Sequence, residues 1–227
     1  MRITKKKRKL CFFIALALLV LALCLYINKE GFENFYDENN KKIDIEKIEK
    51  EEQEQAQEYI KDFDCVLELG ARYGTVSEVI NKKLKNPLNH VVVEPDCDVW
   101  ESLEKNKKNS GSQFQIIKGF ISNKKLSLKK GGYGSNQIAD ESSTIPHFTF
   151  NQVKAMVTMP FTALVADCEG CIEDFLKENT EILKTVRIIL LEEDFPDKCN
   201  YGAVKKLFND FSLYEAKPGF HSVWIRA

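Results

Sequence analysis

The chain is short of the residues that mark several classes of protein. It has only six prolines and 11 glycines in 227 residues, and no internal repeat is visible. With 44% hydrophobic and 30% charged residues, it is not a collagen, a coiled-coil rod or a wholly disordered chain. Seven cysteines are too few for a disulfide scaffold of this length, and their number is odd. The three histidines, His90, His147 and His221, are far apart, and none is assigned as a metal ligand. Acid outnumbers base, 34 to 27, outside the first nine residues. Those hold six of the 33 Lys and Arg residues and none of the 34 acidic ones. The acidic body is a poor grip for phosphate backbones, so no nucleic-acid partner is expected. What is present is enough apolar sequence for one domain and an appendage.

The appendage is N-terminal. Residues 10–27 carry no charge and no proline, and 12 of these 18 are Leu, Ile, Phe or Val. Insertion into a bilayer is favoured by about 4–7 kcal/mol, and 18 helical residues rise about 27 Å, enough for a thin membrane. A cleaved signal peptide has a shorter apolar core followed by a small-x-small site, whereas Ala22-Leu23-Cys24 runs on into more apolar residues. The sequence therefore predicts a single-pass anchor. The basic tail 1–9 stays cytosolic, and the body lies on the lumenal or extracytosolic side.

Residues 28–42 are polar and are expected to form a solvated tether. Over 43–61 an apolar stripe interrupted by Glu52 and Gln55 predicts a helix that packs on the following domain. From residue 61 to 227 short apolar runs alternate with helical patterns. Strands are predicted at 65–69, 91–94, 114–117, 163–166 and 186–191. Helices are predicted at 75–84, 98–107, 172–183 and 201–209. The first two are each opened by an acidic capping pattern, Thr75-x-x-Glu78 and Asp98-x-x-Glu101. Residues 122–150 read as an excursion, and 211–214 with 222–225 as a closing antiparallel hairpin. Such alternation specifies a mostly parallel sheet covered on both faces, with ligands at the carboxyl ends of its strands.

The sharpest local signal is Glu68-Leu69-Gly70-Ala71-Arg72-Tyr73-Gly74, between a strand and a helix. Glycines there let backbone approach a ligand that the helix N-terminus then faces. Glu94 ends the next strand, placed to accept ribose hydroxyls. Arg72 stands where a dinucleotide fold needs its middle glycine, and Glu68 would repel a pyrophosphate. An acid before the turn suits a ligand with a cationic head, such as S-adenosylmethionine.

Residues 66–77 resemble motif I of class I S-adenosylmethionine-dependent methyltransferases. The run Asp167-Cys168-Glu169-Gly170-Cys171-Ile172-Glu173, followed by the strand ending at Glu192, resembles the D-x-E-G-x-x-E segment of FkbM-like methyltransferases. The resemblance covers 62–227. It implies a seven-stranded Rossmann-like sheet binding S-adenosylmethionine, with methyl transfer to an oxygen of a small-molecule or glycan-like acceptor. It also implies that Glu68, Gly70 and Gly74 hold the methionine part, that Glu94 holds the ribose, and that Asp167 and Glu169 lie beside the reacting methyl. Arg72 in place of a glycine narrows the turn, and 122–150 lacks the family pattern.

Asp167 and Glu169 are close enough in sequence for mutual repulsion to make one of them a base; capping of the next helix is the other use open to them. Cys168 and Cys171 are expected to be simple packing residues, because Cys65, Cys97 and Cys199 are too scattered to complete a metal site. His147 and Tyr133 are loop residues within reach of an acceptor site, or plain surface. The lysines at 124, 125, 129 and 130 are expected to be solvated. An inactive membrane-tethered binding module would share this fold, as would a nicotinamide oxidoreductase, which Arg72 disfavours.

Overall fold

The computed structural model describes residues 34–131 and 134–226, together with Ile14 and Leu16. The expected anchor at 10–27, apart from those two helical and exposed residues, lies outside the described residues, as do the basic tail and Tyr133. Among the described residues no helix is long and apolar enough to cross a membrane.

A small hairpin, β1 (Phe35–Tyr36) and β2 (Lys42–Ile43), precedes helix α1 (Lys50–Tyr59). There follow β3 (Val66–Leu69), α2 (Thr75–Lys83), β4 (His90–Glu94), α3 (Trp100–Ser110) and β5 (Gln115–Lys118). The excursion holds β6 (Phe120–Ile121), β7 (Leu126–Gly131), β8 (Gly134–Ala139), β9 (His147–Phe148) and α4 (Phe150–Lys154). The chain then runs through β10 (Ala163–Ala166), α5 (Ile172–Asn179), β11 (Ile188–Glu192), α6 (Tyr201–Asp210), β12 (Leu213–Lys217) and β13 (His221–Arg226).

Seven strands form one sheet in the order β12-β13-β11-β10-β3-β4-β5. Every pair from β11 to β5 is parallel, while β13 lies antiparallel between β11 and β12. The Rossmann-like, mostly parallel sheet with an antiparallel C-terminal hairpin is thus as the sequence predicts. The strands are buried on both faces. Leu67, Leu69, Val91, Val93, Leu164 and Leu191 pack with Phe175, Leu176, Val204 and Phe208 of α5 and α6. The alternate residues Val66, Val165, Ile188 and Leu190 pack with Ala56 and Ile60, at and just after the end of α1, and with Val76 and Ile80 of α2. From β3 the chain adds strands in one direction, and from β10 in the other. The two meet side by side, Leu69 opposite Ala166, so a crevice opens at their carboxyl ends.

Several boundaries differ from the sequence reading. The helix predicted over 43–61 begins only at Lys50, because Glu49 is left-handed (φ 52°) and breaks the turn before it. The polar interruptions of its stripe are not defects: Gln55 Nε2 donates to the His221 carbonyl at 2.8 Å, and Glu52 Oε1 lies 2.9 Å from His221 Nε2. The tether is partly docked, since Phe35 is buried and Asn106 of α3 exchanges hydrogen bonds with the Tyr36 backbone. Thr75-x-x-Glu78 is not a capping box. Gly74 is the N-cap, so Thr75 already lies inside α2, and Glu78 turns to Lys82 at 2.5 Å. Asp98 likewise caps nothing; α3 starts at Trp100, and Asp98 pairs with Lys130. The helix predicted over 172–183 ends at Asn179 and continues as a 3-10 turn to Lys184.

Candidate active site

Three strand ends build the crevice. At β3 the chain turns at Gly70 (φ 85°), whose N–H donates to the Val93 carbonyl at 3.0 Å. A β-carbon at Gly70 would collide with the Asp167 carbonyl oxygen, so the close approach of these two turns requires glycine. At β4, Glu94 is only 6% exposed. Its Oε2 accepts from the backbone N–H groups of Ala71 (3.3 Å) and Arg72 (2.7 Å), and its Oε1 from that of Asp96 (2.8 Å). Burial nevertheless pushes its carboxyl up to about 7, against the pull of these donors. A carboxylate offers about four acceptor sites, and three are used. Glu94 thus organises the turn and keeps room for about one further donor, fewer than the pair of ribose hydroxyls the sequence assigns to it.

Glu68 points beneath the turn. It is 1% exposed; Ser77 Oγ donates to one oxygen at 2.8 Å and His90 Nε2 to the other at 2.8 Å. It borders a recess shared with Glu49, Gly70 and Asp167, but its hydrogen-bonding capacity is directed to α2 and β4. Gly74 shapes the start of α2 and does not line the cavity that Gly70 and Glu94 border.

The opposite wall carries carboxyls that pair with each other. Asp167 follows β10 and Glu192 ends β11. Burial, and then the hydrogen bond and charge of Glu192, hold Asp167 well above the usual carboxylate range. Glu169 is pushed up to about 8 by burial and by its hydrogen bond to Asp194. Glu49, hydrogen-bonded by the Thr75 hydroxyl, is raised to about 8 by burial and then by Asp167. At neutral pH several of these groups hold protons, and a group poised near 8 is suited to giving and taking one. Asp167, Glu192 and Asp194 place oxygens within 4.8 Å of one another, as do ligand atoms of Glu52, Glu192 and His221. The first set is satisfied by carboxyl–carboxylate pairing. In the second, His221 faces Glu51, Glu52 and Glu192 at 3.1, 2.9 and 3.2 Å. Neither is assigned a metal.

The excursion roofs the site. Strands β7 and β8 form a hairpin whose Lys130 pairs with Asp96 and Asp98, while Ser135 Oγ donates to Asp96 at 3.1 Å. On the far side Asn136 Nδ2 donates to the Glu169 carbonyl and Gln137 Nε2 to Asp174, both at 3.2 Å. Lys130 is thus solvent-exposed, as expected of the four lysines, and also ties the hairpin to Asp96 and Asp98. His147 lines nothing here: its Nε2 accepts from Leu126 N–H at 2.7 Å and its ring stacks on Phe120. Cys168 and Cys171 are joined in a disulfide, which corrects the expectation of simple packing cysteines. Their spacing across a strand-to-helix turn brings the sulfurs together.

One cavity is thus lined by Gly70, Arg72, Glu94, Asp167 and Glu169. The structure unites four of the six sequence-predicted residues there; Glu68 and Gly74 support it from outside. The sequence reading missed Glu49, which no pattern marks, and Asp194, which the acidic run after β11 could have flagged.

No protein-family model matches the chain, and no curated protein matches it in sequence. Solved structures resemble it in three dimensions. An rRNA methylase from Streptococcus thermophilus is 9% identical over 77% of this chain and 93% of its own, with a TM-score of 0.46. A ribosomal protein L11 methylase from Lactobacillus delbrueckii subsp. bulgaricus is 10% identical over 78% of each chain, with a TM-score of 0.48. The Streptococcus pneumoniae protein Sp1610, in complex with S-adenosyl-L-methionine, is 12% identical over 78% of this chain and 72% of its own, with a TM-score of 0.47.

Proposed function

We propose that this chain is a membrane-anchored, FkbM-like S-adenosylmethionine-dependent methyltransferase that methylates an oxygen of a small-molecule or glycan-like acceptor. One observation carries the reading. Residues from three separate parts of the chain, Gly70, Glu94 and the Asp167–Glu169 pair, converge on one cavity at the point where the strand order reverses. The cavity suits such a cofactor. Glu94 keeps acceptor capacity for a ribose hydroxyl, Gly70 leaves the backbone bare, and Glu68 borders the recess that a cationic head would enter. The bound cofactor would supply an electrophilic methyl group.

The acceptor side belongs to the carboxyls. Glu169, poised at about 8, would in its ionised form accept the proton of an acceptor hydroxyl, and Asp194, hydrogen-bonded to it, would hold that carboxyl in place. The hairpin β7–β8 roofs the cavity, tied to Asp96 on one side and to the Glu169 carbonyl on the other. The acidic groups Glu52, Glu192 and Asp194 around the site suit a polyanionic acceptor poorly. The run 10–27 is the anchor, with the domain on the extracytosolic side; the disulfide fits an oxidising compartment.

The test is turnover by the purified full chain, supplied with methyl-labelled cofactor and a panel of sugars, hydroxy acids and nucleic acids. Label on a hydroxyl or carboxylate oxygen supports the reading. Label on nucleic acid alone overturns the acceptor class. Tight cofactor binding without transfer to any acceptor identifies an inactive binding module.

A further inference from the structure

The loop between β10 and α5 is closed on itself. The Cys168–Cys171 disulfide is reinforced by a hydrogen bond from Cys171 N–H to the Cys168 carbonyl at 3.1 Å. Inside the ring, Glu169 (φ 56°) and Gly170 (φ 82°) are both left-handed. A glutamate holds that conformation only where its surroundings impose it. The ring touches the Gly70 turn and the hairpin. The Gly70 turn packs on the backbone of Asp167 and Cys168. Gly134 of the hairpin lies against the Glu169 carboxyl, which a β-carbon at 134 would push aside. Asn136 and Gln137 hold the hairpin to the Glu169 carbonyl and to Asp174. Both cysteines line the cavity, so a small reductant can reach them.

We infer that the Cys168–Cys171 pair is a redox switch on the hairpin over the site and, through it, on cofactor affinity. The second half rests on the methyltransferase reading above. The oxidised ring fixes Glu169 and gives the hairpin its anchor. Reduction by a solvent dithiol breaks the S–S bond and leaves two protonated thiols, while the dithiol closes to its own disulfide. Glu169 then relaxes from the left-handed conformation, and the hairpin contacts at Asn136 and Gln137 loosen. A role as a thiol oxidoreductase fits the surroundings less well. The pair does stand at a helix N-terminus, but the cavity it lines is acidic, with Glu94, Asp96, Asp167, Glu169 and Asp174, and offers a thiolate no basic partner but Arg72. Nor does Cys199, packed beside Gly170, attack from within: burial pushes its thiol up to about 11.

The test uses the full chain, equilibrated in oxidised or dithiol-reduced buffer, with alkylation mapping of Cys168 and Cys171. S-adenosylmethionine binding is expected to weaken about tenfold on reduction. Amide exchange should quicken in 126–139 and 167–176. A Cys168→Ser/Cys171→Ser protein should bind as the reduced chain does, whatever the buffer. Equal affinity in the two states, tighter binding when reduced, or native-state alkylation of both thiols in the oxidised sample overturns the switch. Absence of binding in both states sinks the methyltransferase reading instead. Exchange then decides the switch alone: unchanged protection of the hairpin overturns it, and faster exchange on reduction sustains it.

Discussion

Around Glu94 a buried carboxylate is met by backbone N–H groups at 2.7, 2.8 and 3.3 Å, all from turns a few residues long. Around Asp167 and Glu169, half-buried carboxyls are met by other carboxyls, Glu192 and Asp194. The first wall is a rigid cradle whose geometry is fixed by main chain. The second is a proton-sharing cluster whose charge depends on pH and on what binds. The difference separates holding from reacting. It also means that substitutions on the two walls should fail in different ways.

The largest effect is expected at the seam of the two walls. Gly70→Ala puts a methyl group onto the Asp167 carbonyl at a positive φ, and should cost about 3 kcal/mol or more and abolish cofactor binding. Chemical denaturation with a binding titration checks it; an unaltered midpoint would show that the walls do not touch in solution. Next comes Glu94→Ala, which strands buried N–H donors of Ala71, Arg72 and Asp96. Stability and affinity should fall together, by about 2–3 kcal/mol in stability. Lost affinity with full stability would mean that the turn stands without its clamp.

How much of this was legible in the sequence follows the same division. The β3 turn was readable because its elements are local: an apolar run, glycines, a helix start, and Glu94 ending the next strand. So was the pair Asp167 and Glu169, by position after the fourth parallel strand. Their partners were not. Glu49 reaches Thr75 from a left-handed residue before α1, and His221 gathers Glu51, Glu52 and Glu192 from two other elements. Contacts of that range leave no spacing to read. The hairpin was seen only as a polar excursion, because Lys130, Ser135 and Gln137 look like solvated loop until their acidic partners Asp96, Asp98 and Asp174 are placed beneath them. Helix starts misled for a local reason, since a left-handed Gly74 displaced Thr75 into the helix.

The proton-sharing wall makes a pH-dependent contribution of defined sign. Glu49 and Glu169 are raised to about 8 in the folded chain, and Glu94 to about 7. The folded state therefore keeps protons that the unfolded chain releases above its ordinary glutamate range. Their stabilising contribution is complete below about pH 4.3 and is lost as pH rises through 7 to 8. The melting temperature of the unliganded chain should drop between pH 5.5 and 8.5, and Glu49→Gln should flatten that slope. A Glu49→Gln profile as steep as that of the parent chain would remove Glu49 from the cluster.

The smallest effect is expected at the roof. Lys130→Ala breaks exposed pairs with Asp96 and Asp98 and should change stability by less than about 1 kcal/mol, while loosening the hairpin seen by amide exchange. A global loss of several kcal/mol would show the hairpin to be part of the core.

The most direct measurement is calorimetric titration of the full chain with S-adenosylmethionine, in the presence and absence of excess NAD. Saturable one-to-one binding that NAD does not displace, and that Gly70→Ala abolishes, is the expected result. A folded chain that ignores S-adenosylmethionine and binds NAD in the same cavity would contradict the account.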